Sequence, residues 1–230
     1  MSGLTAKEME YEAKVEYEAL ASGAAPGYTS RQWSILLTKA QEKLVRECIS
    51  QGWDRDETSR RIITKLLHSF EVKKKDIEEF SLYGWDNAYK IELYNDYFHM
   101  AGDVANGNVK VKPVEYDSIQ ANIDNPYRKP YEKEFWRLWF NKYAVIITDG
   151  TDLTSYSCIC IKKPEPIITA NLGEKNKAIE GETEKKDCKL DPIAHRDIVS
   201  RAAGLAEAYT NNQLGYELNM AEQQRKEGLR

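Results

Sequence analysis

The stretch "TSRQWSILLTKAQEKLVRECISQGW", residues 29–53, constrains the fold more than any other part of the chain. Trp33, Leu37, Ala40, Leu44 and Cys48 recur at the three-to-four spacing that lines one side of an α-helix, and Leu36 and Val45 widen the stripe. Thr29 or Ser30 offers a side-chain oxygen to the unpaired amides of the first turn, and Gly52 stops the helix. The next stretch, "DRDETSRRIITKLLHSF", opens with acids that favour a helix N-terminus. It then presents Ile62, Ile63, Leu66, Leu67 and Phe70 as an apolar face. Two such helices joined by a short turn predict an αα-hairpin.

The remaining segments arrange themselves around that pair. "TAKEMEYEAKVEYEAL" predicts a first helix with Met9, Ala13, Tyr17 and Leu20 inward and a glutamate-rich outer face. Gly23, Pro26 and Gly27 predict a hinge after it. "AYKIELYNDYFHMAGDVANGNVKVKPVEY" turns to aromatic and β-branched residues, with Asn106-Gly107 where a tight hairpin turn belongs. "YAVIITDGTDLTSYSCICI" adds two strands around a turn at Asp149-Gly150. A polar run over residues 172–187 predicts a surface loop or arm.

Asp191-Pro192 then reads as cap and first position of a last helix, with Ile198, Ala202, Leu205 and Tyr209 on one face. The small residues Ala202, Ala203, Gly204 and Ala206 admit a close helix neighbour, and Asn211 and Asn212 predict a kink or an end. The expected fold class is α+β: a helical bundle core, made of the αα-hairpin plus the C-terminal helix, with an inserted small antiparallel β-sheet subdomain. Its expected divisions are an N-terminal helix and hinge over 1–27, a helical core over 28–210 with the β-insert at about 87–165, and a C-terminal helical tail over 211–230.

The chemistry is sparse. His68, His99 and His195 are scattered with no motif around them, and no P-loop, G-x-S-x-G, H-E-x-x-H or G-x-G-x-x-G occurs. Cys158 and Cys160 flank one residue, so on a strand they share a face; with Cys48 and Cys188 they read as reduced cytoplasmic thiols. No catalytic, cofactor or metal site is expected. The lysine runs in "EVKKKD" and "EKKDCK" read as solvated surface. A net charge of −4 argues against a dedicated nucleic-acid binder. Neither a secretory signal nor a membrane-spanning run of about 20 apolar residues is expected from the sequence.

The run "NPYRKPYEKEFWRLWF", residues 125–140, carries the functional question. On a strand, Trp136, Leu138 and Phe140 share one face, which suits a core, while Phe135, Arg137 and Trp139 share the other. Arginine between two aromatics is interface composition, so this second face is expected to meet another protein. Burial under the chain's own loops and base stacking on Phe135 and Trp139 remain alternatives. Tyr209, Leu214 and Leu218 on the last helix are the other expected contact residues.

Four phrases together carry a resemblance. "YTSRQWSILLTKAQEKLVRECI" resembles the first core helix of head-to-tail connector proteins of tailed bacteriophages, especially crAss-like podoviruses, and "ETSRRIITKLL" resembles its partner helix. "IDNPYRKPYEKEFWRL" is similar to the β-insert phrase of those proteins, and "KLDPIAHRDIVSRAAGLAEA" looks like their closing helix. The resemblance spans most of residues 28–210, leaving the glutamate-rich first helix and the tail outside it. It implies a virion structural protein, made in the host cytoplasm, that forms a homo-oligomeric ring of about a dozen copies at the portal vertex. The ring would join the portal protein to other tail or ring proteins, with genome DNA passing through its lumen without specific binding and with no membrane contact. The rival functions are a nucleic-acid-binding module using Phe135, Arg137 and Trp139, and a thiol-dependent or hydrolytic enzyme.

Overall fold

The computed structural model describes residues 3–20, 27–82, 85–92, 97–122, 125, 127–140, 143–173 and 178–227. Gly23 and Pro26 of the expected hinge lie outside the described residues, as do the side chains of Leu214 and Leu218. The chain divides into two units, Met1–Leu66 with Pro164–Arg230, and Leu67–Lys163.

The first unit is helical. Helix α1 (Ala6–Leu20) starts at Thr5, whose amide donates to the Glu8 carboxylate at 2.8 Å while its Oγ1 accepts from the Glu8 amide at 3.3 Å. Helix α2 (Ser30–Ser50) opens on a second reciprocal cap between Thr29 and Gln32. All five members of the sequence stripe, Trp33 to Cys48, are buried, and Gly52 follows with φ +80°. Helix α3 (Glu57–Thr64) is capped by Asp56 and buries Ile62 and Ile63. The long helix α5 (His195–Glu227) follows a 3-10 turn at Pro192–Ala194 that Asp191 caps. Both α1 and α2 pack on α5, where Ala202, Ala203 and Ala206 are fully buried and permit the approach. Helix α5 runs on through Asn211 and Asn212, so it does not end there, and Leu20 of α1, expected inward, is exposed.

The extended segment after Pro164 lies along α2. Ser34, Thr38 and Gln41, one residue per helical turn, form a buried polar stripe on that helix. Ser34 Oγ accepts from the Thr169 amide at 3.0 Å, Thr38 Oγ1 from the Ile167 amide at 3.1 Å, and Gln41 Nε2 donates to the Glu165 carbonyl at 2.8 Å. With the antiparallel bridge Ile168↔Lys186, these bonds satisfy the buried backbone of the segment, and they let Ile167 and Ile168 be fully buried.

The second unit is a sheet of eight strands: β1 (Leu67–Lys73), β2 (Ile77–Leu82), β3 (Trp85–Glu92), β4 (Tyr97–Ala105), β5 (Val109–Pro113), β6 (Glu134–Trp139), β7 (Tyr143–Ile147) and β8 (Ser155–Lys162). Their order is β1-β8-β4-β5-β6-β7-β3-β2, antiparallel throughout except for the parallel pair β5 and β6. The two edge strands, β1 and β2, are consecutive in sequence and joined only by the 3-10 turn Lys74–Asp76. A sheet whose opposite edges are three residues apart must curl.

Its concave face holds Val72, Ile91, Ala105, Val109, Val111, Phe135, Ile146, Leu153, Tyr156 and Cys158. On the convex face Leu82, Ala88, Trp136, Leu138, Val145 and Ile147 pack with Ile119 of helix α4 (Tyr116–Asn122). The Asn106-Gly107 turn forms as the sequence predicts, both residues at positive φ (48° and 79°), between β4 and β5.

These elements correct the expected fold class. The chain is α+β, but the sheet dominates; it is not a small antiparallel insert in a helical bundle. It starts at Leu67 rather than near residue 87, and Leu67 and Phe70, assigned to a helix face by their spacing, stand on β1. The cause is long-range pairing: β1 lies against β8 from Leu67↔Ile161 to Lys73↔Ser155. That ladder satisfies the backbone that a longer α3 would have satisfied internally. Asp149-Gly150 does turn the chain, but β7 and β8 lie apart in the sheet and do not pair.

Candidate functional site

The faces of β6 divide as its alternation predicts, with Phe135, Arg137 and Trp139 on the concave side. That side grades from core to solvent along the strand. Phe135 is fully buried among Val111, Ile146 and Tyr156. Arg137, one step along, donates through Nη1 to the Asp103 carboxylate of β4, which also accepts from Tyr156 Oη at 2.9 Å. Trp139, one step further, is 43 % exposed and meets Tyr97 edge to face at a centroid distance of 5.2 Å. The Arg137 guanidinium also sits 5.8 Å from the Trp139 ring centroid, a cation–π distance.

Burial sets the electrostatics of this interior. It pushes the Asp103 carboxyl above its ordinary value, against the pull of Arg137 and the Tyr156 hydroxyl. It raises the Tyr97 phenol to about 12 and the Cys158 thiol to about 12. Cys160 and Cys48 are raised by the same cause, and all four cysteines are free thiols. A thiol shifted upward by an apolar setting is a poor nucleophile at neutral pH. His68 and His99 are exposed on strands, whereas His195 is buried with Nε2 3.3 Å from the Leu190 carbonyl. Among the described residues no group of three or more His, Cys, Asp or Glu is placed to hold a metal ion.

Outward-facing groups cluster in three places. Trp139 with Tyr97 is the first. The second, within the same flagged run, is the β5–β6 connection, where Tyr127 is 95 % exposed and borders a pocket of about 560 Å³ with Lys112, Arg128, Lys129 and Tyr131. Sequence reasoning passed over Tyr127 in favour of the strand behind it; its place between Pro126 and Pro130, in a segment poor in apolar alternation, was the available signal. The third lies in the helical unit, where exposed Tyr209 of α5 accepts a hydrogen bond from Lys39 Nζ of α2 at 3.2 Å. Phe135, having no exposed face, offers no platform for base stacking.

The profile of phage tail ring protein 3/4 matches residues 4–217. The chain belongs to that family, and is a structural component of a tailed phage virion. Ring protein 4/5 of Bacteroides phage crAss001 is 29 % identical over 224 residues, covering 89 % of this chain and 93 % of the relative. Ring protein 3 of the same phage is 25 % identical over 204 residues, covering 80 % and 87 %. The protein is therefore a crAss-like phage ring protein. Helix α1, which the phrase resemblance left out, falls inside the family match.

Proposed function

We propose that the chain assembles with copies of itself into a closed ring of about a dozen subunits. The ring acts as a head-to-tail adaptor at the portal vertex, between the portal protein and other tail or ring proteins. Genome DNA passes through its lumen during ejection. The observation that carries the reading is the family match over residues 4–217, which takes in every helix and strand up to residue 217 within α5.

Physical chemistry is consistent with it. A ring needs one surface patch to meet a different patch on the next copy, and Trp139 with Tyr97, Tyr127 with Tyr131, and Tyr209 are aromatic surfaces of the kind that anchor protein contacts. The Arg137 guanidinium backs Trp139 at a cation–π distance, and Phe135, Leu214 and Leu218 complete the set of proposed contact residues. A net charge of −4 suits a wall that DNA slides past without being gripped.

The test is negative-stain imaging and mass photometry of the purified full chain, alone and with the portal protein of its own phage. Rings, alone or seeded by portal, are the expected result. A monomer at all concentrations that ignores portal rejects the adaptor reading.

A further inference from the structure

Helix α1 turns one face to solvent along its whole length. Tyr11 is 70 % exposed and Val15 50 %, one helical turn apart. Around these two apolar side chains stand Glu8, Glu12, Glu16 and Glu18, with Lys7 and with Lys14, which pairs with Glu10. Glu10 itself is buried and accepts from Ser30 at 2.9 Å. The inward side of α1 is thus fully used within its own unit, and the outer side is acidic with two apolar projections.

The opposite character appears on α2. Its exposed side carries Arg31, Lys39, Lys43 and Arg46, with Glu42 partly covered among them. Helices α2 and α5 run antiparallel here: Lys39 reaches Tyr209, and Glu47 accepts from Arg201 at 2.6 Å. Along the seam of the two helices stand Lys39 and Lys43 of α2, half-buried Leu205, and exposed Gly204, Ala208 and Tyr209 of α5. Small and apolar side chains beside a row of lysines make a receptor for an apolar knob flanked by carboxylates.

We infer that the acidic outer face of α1 in one copy docks on the lysine-edged seam between α2 and α5 of a second copy. This rests on the ring reading above and names the two unlike patches that such a ring requires. Tyr11 and Val15 enter over Leu205 and Ala208, while Glu12 and Glu16 meet Lys39 and Lys43 at matching one-turn spacing. Rows of opposite charge on two helices fix both register and direction, and they speed encounter more than they deepen affinity. Such a contact weakens with added salt.

The experiment compares the full chain with E12K/E16K, K39E/K43E and the variant carrying all four changes, reading assembly by mass photometry across a salt series and fold by circular dichroism. The expected result is that each double variant keeps its helical signal and associates at least about tenfold more weakly. The quadruple variant, and an equimolar mixture of the two doubles, then recover assembly, because opposite charges meet again. If the wild-type chain forms rings and both double variants form them equally well, the docking is wrong while the ring reading stands. If the wild-type chain never associates, alone or with portal protein, the ring reading itself fails. Loss of DNA retention in K39E/K43E with rings intact overturns the docking and makes the α2 face a nucleic-acid surface. Loss of binding to a different ring protein only, with self-assembly intact, overturns it too.

Discussion

The guanidinium of Arg137 on β6 reaches across β5 to the carboxylate of Asp103 on β4, inside the curl of the sheet, with side-chain exposures of 11 % and 5 %. Tyr156 completes the group from β8, so one buried network ties three strands together. Removing a single partner leaves a charge without compensation in an apolar interior.

Arg137→Met is expected to lower the unfolding free energy by about 3–5 kcal/mol, measured by urea denaturation at pH 7. Burial already raises the Asp103 carboxyl, and losing Arg137 raises it further. The deficit of the variant therefore shrinks as pH falls and Asp103 takes a proton. The double variant Arg137→Met, Asp103→Leu recovers much of the loss, since neither charge is then stranded.

Phe135 and Trp139 share a strand face but differ in their surroundings, so they separate fold from contact. Phe135→Ala costs about 3–5 kcal/mol through the cavity it leaves. Trp139→Ala costs about 1 kcal/mol, the scale of an edge-to-face aromatic pair, and its main effect is expected on assembly. Equal stability losses for the two would contradict the burial gradient along β6.

Asn106 holds φ 48° and uses its side chain to bind the chain entering β8. Its Oδ1 accepts from the Thr154 amide at 2.8 Å, and its Nδ2 donates to the Asp152 carbonyl at 2.9 Å. Asn106→Ala loses these bonds and pays the left-handed strain as well, for a total of about 2–3 kcal/mol. Asn106→Gly loses only the bonds and should lie about 1 kcal/mol above it by thermal melting.

Asp56 and Asp191 are helix-cap carboxylates held below the usual aspartate range, Asp56 by the Ser59 amide and Asp191 by the Ile193 amide and then Arg61. Their folded values lie below the unfolded ones, so their stabilisation is complete above about pH 4 and is lost as pH falls through the folded values. Thermal melting of the wild type should decline across that acid window. Asp56→Asn, which still caps but does not titrate there, should show a shallower decline.

Cys158, raised to about 12 by burial, carries a thiolate fraction of about one in ten thousand at pH 8. Iodoacetamide should leave it and Cys160 unmodified in the folded chain and label both in denaturant, read by mass spectrometry. Rapid labelling of the native protein would show that the concave face opens.

Local signals were legible wherever neighbouring residues alone decide the outcome. Helix α2, its cap at Thr29, the stop at Gly52 and the Asn106-Gly107 turn need no distant partner, and each formed where the sequence places it. The polar stripe Ser34, Thr38 and Gln41 was visible too, yet its purpose was not, because the backbone it serves lies more than a hundred residues away.

Sequence alone determined the apolar stripe of α2, which side chains of β6 share a face, and, through four ordered phrases, the family. Tertiary structure decided that Leu67 and Phe70 belong to a strand: their three-residue spacing favours one helix face, and only the ladder to β8 overrides it. It also decided that Phe135 faces a core and Trp139 faces water. Alternation assigns residues to a face, but only the curl of eight strands determines how far along that face the solvent reaches.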